Sequence, residues 1–286
     1  MIKKGISVVG STTKDTIVVK DRRFNKLGGV TTYSGITYAR NEIRTFVVSN
    51  VAKQDIEILH KLQDEKIVVY NGETVHTTCF INRVKGDERW QELPQAAKPI
   101  KYSQILEVAE KVDALHLGPL HPLDIESRVL KSLAELNKFI ALDVQGYTRQ
   151  VKFRAVLPLV SVHLSDALKI ARLVKSNGAE LKSILAFFQT GLGKLMQRYK
   201  IEEFVITLGA GGGFVKQMDG KEFHYKAVNI DSVDDSTGAG DVFFAAYIIS
   251  RFLKNETIPD ACRYAAAISA RQVEGKYIAR DRLILS

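Results

Sequence analysis

The chain has 286 residues, of which 45% are hydrophobic and only six are proline, so it can bury a large core and is not mainly disordered. Lysine and arginine outnumber aspartate and glutamate by 41 to 32, which gives a net charge of +9, but the basic residues are scattered among the acids. We therefore expect a general preference for anions, or a lysine-rich surface, rather than a nucleic-acid partner.

The N-terminal segment is not expected to act as a signal peptide. Its single apolar run, 6–9, is shorter than the core of a signal peptide, and no window of the chain is long enough to span a membrane. Cys79 and Cys262 lie far apart and fit neither a disulfide framework nor a zinc site. The sequence thus predicts a cytoplasmic protein with no membrane partner.

Short apolar runs recur along the chain, and helical patterns lie between most of them. The predicted strands are 6–9, 45–49, 67–70, 115–117, 139–144, 159–164 and 204–208. The predicted helices are 31–40, 54–63, 103–111, 123–137 and 166–175. Strands that alternate with helices favour an α/β fold with three layers, α/β/α, around a mainly parallel central sheet.

Two segments break this alternation. Residues 16–20 alternate between apolar and polar, and 76–84, a turn at Lys85 to Glu88, and 89–93 have the pattern of a hairpin. Half-polar strands fit poorly in a buried parallel sheet, so we expect one domain, 1–286, with strands of a small β lid at about 14–27 and 70–93. Plain surface decoration is the alternative to a lid, and an exposed half-polar sheet could also form a homodimer contact.

The run "DDSTGAGDVFFAAYIISRFL", 234–253, begins with acids and small residues and continues as an apolar helix. Each glycine in a first turn costs about 1 kcal/mol relative to alanine, so the close approach of a ligand is one reason to place two there. The free N–H groups would bind phosphate oxygens, and Asp241 could take a proton from an attacking hydroxyl. The alternative is that Thr237 caps the helix and Asp241 only favours the helix dipole.

Two further glycine-rich stretches follow apolar or lid segments. In "FVITLGAGGGFV", 204–215, a strand opens into flexible backbone, which is where α/β sheets bind nucleotides, although a simple hairpin turn is the alternative. In "LGGVTTY", 27–33, a glycine pair begins a helix and could be a hinge or only a turn.

Together and in this order, "GSTTKD" (10–15), the pair at 28–29, "TLGAGG" (207–212) and "DSTGAGD" (235–241) resemble the ribokinase-like (phosphofructokinase B type) carbohydrate kinase family. The resemblance covers nearly the whole chain. Within the family, "HLGPLHP" and "LDVQGYTR" are most similar to small prokaryotic members that include inositol kinases.

The resemblance implies transfer of the γ-phosphoryl group of ATP, with Mg²⁺, to a hydroxyl of a sugar or polyol. A nucleoside acceptor is an alternative, for which Tyr33 and Phe80 could form the walls of a base pocket. A second alternative is a non-catalytic nucleotide- or nucleic-acid-binding protein on the same fold.

The resemblance also implies roles for individual residues. Asp241 is similar to the catalytic base, and the anion hole corresponds to Gly238, Ala239 and Gly240. The ATP-binding strand end corresponds to Thr207, Gly209 and Gly212. Asp235 matches a position that often helps to hold a monovalent cation such as K⁺. The acceptor site corresponds to Asp15, Gly28 and Gly29, with Tyr33 where many relatives carry asparagine.

Three further candidates lie outside these motifs. Gln145 and Arg149 follow a strand in a loop that should face the cleft, where Arg149 could clamp a phosphate or an acidic acceptor group, unless it is simply solvated. Many relatives carry an Asn-x-x-Glu motif that organises the waters of the metal, and residues 162–170, expected to correspond to it, lack this motif. Asp166 could replace it as a magnesium ligand, with an ordinary helix cap as the alternative.

Overall fold

The computed structural model describes residues 5–19, 22–85 and 88–285, so the centre of the turn predicted at Lys85 to Glu88 lies outside the described residues. The strands are β1 (Ile6–Gly10), β2 (Thr13–Val19), β3 (Arg22–Gly28), β4 (Thr45–Ser49), β5 (Val68–Asn71), β6 (Cys79–Lys85), β7 (Glu88–Gln95), β8 (Ala114–Gly118), β9 (Phe139–Asp143), β10 (Gln150–Lys152), β11 (Ala155–Leu157), β12 (Leu173–Asn177), β13 (Glu203–Thr207), β14 (Gly213–Gln217), β15 (Glu222–Tyr225) and β16 (Ile284–Leu285). The helices are α1 (Val30–Arg40), α2 (Glu57–Asp64), α3 (Tyr102–Ala109), α4 (Ser127–Leu133), α5 (Leu164–Ile170), α6 (Gly178–Phe188), α7 (Leu192–Tyr199), α8 (Ala239–Ile248), α9 (Ile258–Val273) and α10 (Arg280–Leu283).

The central sheet has nine strands in the order β15-β14-β13-β12-β9-β8-β1-β4-β5. The seven strands from β13 to β5 are parallel, and β14 and β15 continue the sheet antiparallel at one edge. Helices α1, α2, α8 and α9 cover one face, and α3 to α7 cover the other, each over its own apolar core. The three-layer α/β/α architecture expected from the sequence is therefore confirmed.

A second sheet of seven strands has the order β10-β11-β7-β6-β2-β3-β16. It contains the half-polar strands that the sequence sets apart from the central sheet. The predicted lid range 70–93 also included the end of β5, but β5 belongs to the central sheet. The short hairpin β10–β11 and the C-terminal strand β16 extend it at its two edges, and the sequence pattern does not reveal them. We call this second sheet the lid sheet.

Two predicted elements are wrong. The helix expected at 166–175 ends at Ile170, because Ala171 adopts an extended backbone, and the chain then enters β12. The strand expected at 159–164 is a loop that leads into α5, and its apolar side chains Leu159 and Val162 are exposed. The predicted helix at 123–137 is also shorter, since α4 gives way to a 3₁₀ turn at Ala134–Leu136.

Within the described residues, no helix combines the length and the apolar character needed to cross a membrane.

Candidate active site

Helix α8 begins at an uncapped first turn. Gly238 is its N-cap, with a left-handed φ of 75°, and the N-cap makes no side-chain hydrogen bond to the first-turn amides. A Cβ at Gly238 would lie 2.2 Å from the ring of Tyr33, so only glycine fits this position. Thr237 therefore does not cap the helix, contrary to the alternative drawn from the sequence. The N–H groups of Gly240 and Asp241 have no intrahelical partner by helix geometry, and free amides at a helix start can bind an anion, so we call this first turn the anion site.

Asp241 lies in this first turn, half-buried and on the cleft. Burial raises the pKa of its carboxyl to about 7, and the neighbouring Asp143 adds to this, while Lys175 and Arg149 act in the opposite direction. Ser34 donates from its hydroxyl to the backbone oxygen of Asp241 at 3.2 Å, which ties α8 to α1. A carboxylate with a pKa near neutrality is suited to accept a proton at the pH of a cell.

An ion pair lies directly behind the turn. Nζ of Lys175 in β12 is 2.8 Å from Oδ2 of Asp143 at the end of β9, and their side chains are 6% and 0% exposed. A Cβ at Gly240 would lie 3.1 Å from the same Nζ, so the ammonium sits against the anion site. Burial acts to lower the pKa of Lys175, but the charges of Asp143, Glu180 and Asp241 together outweigh burial and raise the pKa, so the lysine stays charged. The sequence pattern does not reveal Lys175, because its strand resembles a helix.

The expectation that residues 162–170 occupy the place of the Asn-x-x-Glu motif is wrong. The motif stands at Asn177 and Glu180, where β12 ends and α6 begins, and the mispredicted helix hides it in the sequence. Oδ1 of Asn177 accepts from the amide of Glu180 at 2.8 Å, and Oε2 of Glu180 accepts from the amide of Asn177 at 2.8 Å. Burial raises the pKa of Glu180, and Asp143 raises it further, although Lys175 opposes this.

Asp166, the magnesium candidate taken from the sequence, does not lie beside Asn177, Glu180 and Asp241. Its carboxylate pairs with Lys169 at 2.8 Å and approaches Lys131 at 4.0 Å, and it does not line the cleft with Asp241. Asp166 is instead a first-turn residue of α5.

A cleft of about 780 Å³ opens between the lid sheet and the start of α8. Its walls include the following residues proposed from the sequence: Asp15, Gly29, Tyr33, Gln145, Arg149, Asp235, Gly238 and Asp241. Aromatic side chains of the lid side, Phe24, Phe80 and Trp90, complete the wall. Most of the residues assigned to the acceptor and to catalysis thus share one cavity.

Asp15 lies at the lid end of this cleft and is 9% exposed. Burial raises the pKa of its carboxyl to about 6, although hydrogen bonds and the charges of Lys26 and Arg149 oppose the rise. A Cβ at Gly28 would lie 2.6 Å from Oδ2 of Asp15, and Gly29 has a φ of 93° with its α-carbon against Ser11. The glycine pair therefore lets the backbone turn into α1 closely around this carboxyl.

Arg149 is half-buried rather than solvated, and it lies among carboxylates. Burial lowers the pKa of its guanidinium, and Glu180, Asp143, Asp241 and Asp15 act to raise it, in that order. The guanidinium thus lines the cleft and interacts with carboxyls of both ends, those of Asp15 and Asp241.

The loop before α8 is attached to the lid sheet. Lys26, on β3, forms an ion pair through Nζ with Oδ2 of Asp235. Oδ1 of Asp235 accepts from the amide of Thr237 at 2.8 Å. Burial acts to raise the pKa of Asp235, but Lys26 and Thr237 outweigh it and hold the pKa below its ordinary value. The sequence does not reveal Lys26 as a site residue.

The glycine-rich stretch after β13 forms a hairpin. Thr207 ends β13 in register with Asn177, a 3₁₀ turn follows at Gly209–Gly211, and the amide of Leu208 donates to the oxygen of Gly212 at 2.8 Å. A Cβ at Gly178 would lie 2.7 Å from Leu208, so this turn adjoins the Asn-x-x-Glu helix start. The turn lies at the carboxyl edge of the parallel strands, which is the binding edge of such sheets.

The chain is similar to known proteins over most of its length. Residues 43–280 match the pfkB family carbohydrate kinase domain. A pyrophosphate-dependent kinase of the ribokinase family, solved as a sulfate complex, is 23% identical with a TM-score of 0.83, covering 94% of this chain and 95% of that one. A pyrophosphate-dependent kinase of the same family, bound to a pyrophosphate analogue and myo-inositol, is 21% identical with a TM-score of 0.82 and 97% coverage of both chains.

Ribokinase from Thermotoga maritima has a TM-score of 0.76 at 16% identity, again with 97% coverage of both chains. No curated protein sequence gives a significant match. At these identities the structural matches show a shared fold.

Proposed function

The chain belongs to the pfkB family of carbohydrate kinases and is therefore a phosphotransferase with an alcohol group as acceptor, and from this premise we propose its reaction. The γ-phosphoryl group of ATP passes to a hydroxyl of a sugar or polyol, and inositol-like polyols are the first acceptor candidates. One observation carries the proposal: the uncapped first turn of α8 and the carboxyl of Asp241 open onto the same cleft as Asp15.

The acceptor hydroxyl is oriented by Asp15 at the glycine pair and loses its proton to the carboxylate of Asp241. The hydroxyl oxygen forms a bond to the γ-phosphorus as the bond from that phosphorus to the bridging oxygen breaks, and ADP leaves. Deprotonation by a positioned base contributes about 10²- to 10⁴-fold to the rate. Asp241 is suited to this because burial and Asp143 keep its pKa at about 7.

The migrating phosphoryl group carries negative charge that the site must balance. The free amides at the Gly238–Gly240 turn, those of Gly240 and Asp241, would face it, the ammonium of Lys175 lies against that turn, and Arg149 lines the cleft. Phosphoryl transfer depends mainly on positioning and on such preorganised charge. The lid sheet would exclude water, which competes with the hydroxyl as acceptor.

The residues present fit a magnesium ion. Burial and then the charge of Asp143 raise the pKa of Glu180 and of Asp241, while Lys175 and Arg149 oppose the rise, so three carboxyls interact here. A divalent cation would relieve that excess of negative charge, and carboxylate, amide and phosphate oxygens are the ligands that Mg²⁺ prefers. Asn177 and Glu180 would hold it through its waters, and the ion would neutralise and orient the donor phosphates.

Pyrophosphate is the second candidate donor. Two structures named as pyrophosphate-dependent kinases match nearly the whole chain, and one of them is a complex with myo-inositol. With ATP, the hairpin at Thr207, Gly209 and Gly212 would adjoin the nucleotide. With pyrophosphate, inorganic phosphate leaves in place of ADP and the roles of Asp241 and the anion hole are unchanged. The cytoplasmic location and a homodimer through the lid sheet stay predictions.

A donor-by-acceptor panel tests the proposal. The purified protein with Mg²⁺ receives ATP or pyrophosphate together with a sugar, an inositol or a nucleoside, and the phosphate ester is quantified. We expect an ester from a polyol or sugar with one of the two donors. Formation of an ester from nucleosides alone would assign the nucleoside alternative. The absence of any ester, with salt-dependent retention on DNA or RNA, would overturn the proposal in favour of a nucleic-acid-binding protein.

A further inference from the structure

A lysine of the lid sheet is buried against the loop that leads into α8. Lys26 lies opposite Asp15 in the β2–β3 register, its side chain is 3% exposed, and its ammonium pairs with Asp235. Asp235 stands three residues before Gly238, the N-cap of α8. A strand of the lid sheet therefore holds a fixed positive charge next to the anion site.

The oxygens around Asp235 are already used. Its Oδ1 accepts from the amide of Thr237 at 2.8 Å, and its Oδ2 accepts from Lys26. The nearby backbone oxygen of Val273 accepts from two amides, those of Asp234 at 2.9 Å and Asp235 at 3.2 Å. A potassium ion needs several oxygens that replace its hydration shell, and the ammonium repels a second cation at this point. These residues do not fit the K⁺ ion that the family resemblance implies at Asp235.

We propose that the Lys26 ammonium takes the place of a monovalent cation at the loop before α8, so that phosphoryl transfer needs no K⁺. This inference rests on the proposed function. Lys26 is a positioning residue: it neutralises Asp235, whose charge would otherwise repel the donor phosphates, and it leaves Asp235 free to hold the Thr237 amide. Because the lysine belongs to the lid sheet, it also ties the anion site to the sheet that covers the acceptor.

The first experiment uses the wild-type protein at constant ionic strength in the chloride salts of K⁺, Na⁺ and tetramethylammonium. Initial rates of ester formation and the melting temperature are measured in each. We expect no increase of either quantity that is specific to K⁺. A saturable, K⁺-specific gain in rate or in melting temperature would overturn the proposal.

The second experiment removes the charge. Lys26→Met keeps most of the side-chain volume, and without K⁺ we expect its turnover to fall by about 10- to 100-fold, the usual effect of losing a hydrogen bond to a charged group. Potassium should restore part of this turnover and should raise the melting temperature saturably, because Asp235 is then open to a cation. Lys26→Arg keeps the charge and should stay independent of K⁺.

Lys14→Met is the matched control. Lys14 lies on β2 of the same lid sheet and pairs with Asp55 at 2.9 Å, and neither residue lines the cleft. Its loss should create no response to K⁺. If Lys26→Met responds to K⁺ no more than Lys14→Met does, the ammonium does not replace a cation and the proposal is wrong.

The melting measurements also separate this inference from the proposed function, since they need no substrate. If no ester forms with any donor, the proposed function fails, yet a K⁺-specific stabilisation of the wild-type protein still decides the cation question. If Lys26→Met does not fold, the wild-type series in the three salts remains a complete test.

Discussion

Replacing Asp241 by asparagine separates a catalytic base from a residue that merely favours the helix dipole. The substitution keeps the shape of the side chain and removes the proton acceptor. We expect turnover to fall by about 100-fold or more, which is the usual contribution of a general base. The wild-type kcat/KM should rise with pH through about 7 to a plateau, since the base must be deprotonated and the pKa of Asp241 lies there. The variant should lose this rise.

The same variant should be more stable than the wild-type protein at high pH. Folding raises the pKa of Asp241 from 3.8 to about 7, so the folded state retains a proton that the unfolded state releases between those values. Ionisation of Asp241 therefore opposes folding increasingly as pH rises through this window, by at most about 4 kcal/mol at pH 8. Urea unfolding should show Asp241→Asn stabilised at pH 8 and unchanged near pH 4.

Asp260→Asn provides the control, because Asp260 holds the equivalent first-turn position of α9 and is exposed beside its Thr257 cap. Its loss should leave turnover unchanged and should not stabilise the protein. If Asp241→Asn behaves as Asp260→Asn does, with normal turnover and no gain in stability, Asp241 has no role in catalysis and our account of the site is refuted.

Three other substitutions test the surroundings of Asp241. Lys175→Met leaves Asp143 as an unpaired buried charge and should lower the free energy of unfolding, measured in urea, by about 3–5 kcal/mol. Its control, Lys169→Met, breaks an exposed pair with Asp166 and should have no measurable effect. Equal effects of the two substitutions would contradict the buried ion pair. Gly238→Ala should lower the same free energy by at least about 1–2 kcal/mol for the left-handed φ alone and should reduce turnover, because its Cβ would strike Tyr33; a stable, active variant would contradict this geometry. Glu180→Gln should raise the Mg²⁺ concentration needed for half-maximal turnover, and Asp166→Asn should not, since Asp166 lies outside the cleft. If Asp166→Asn raised this concentration and Glu180→Gln did not, Asp166 would again be the magnesium candidate.

The sequence predicts the role of a residue when its neighbours in the chain form a recognisable motif. Asp241 and the glycines before it stand in one uninterrupted run, and Gly28 and Gly29 join a lid strand to a helix, so spacing alone suggests a reason for each. The fold class is likewise visible, because buried parallel strands are short apolar runs separated by helices.

The residues that the sequence hides are those whose role depends on a distant partner. Lys26 meets Asp235, and Lys175 meets Asp143, only after the chain has folded. A strand that is buried on both faces also lacks the alternation that identifies a half-exposed strand, so residues 173–177 resemble the continuation of helix α5. That single misassignment hides both the lysine behind the anion site and the Asn-x-x-Glu motif.

The central claim is that the amides in the first turn of α8 bind the phosphoryl group during its transfer while the Asp241 carboxyl contacts the acceptor hydroxyl. A crystal grown with myo-inositol, ADP, Mg²⁺ and aluminium fluoride tests this directly. We predict that the fluoride complex contacts the amides of Gly240 and Asp241, with the Asp241 carboxyl about 3 Å from the attacking hydroxyl. A fluoride complex bound elsewhere, or amides turned away from it, would contradict the claim.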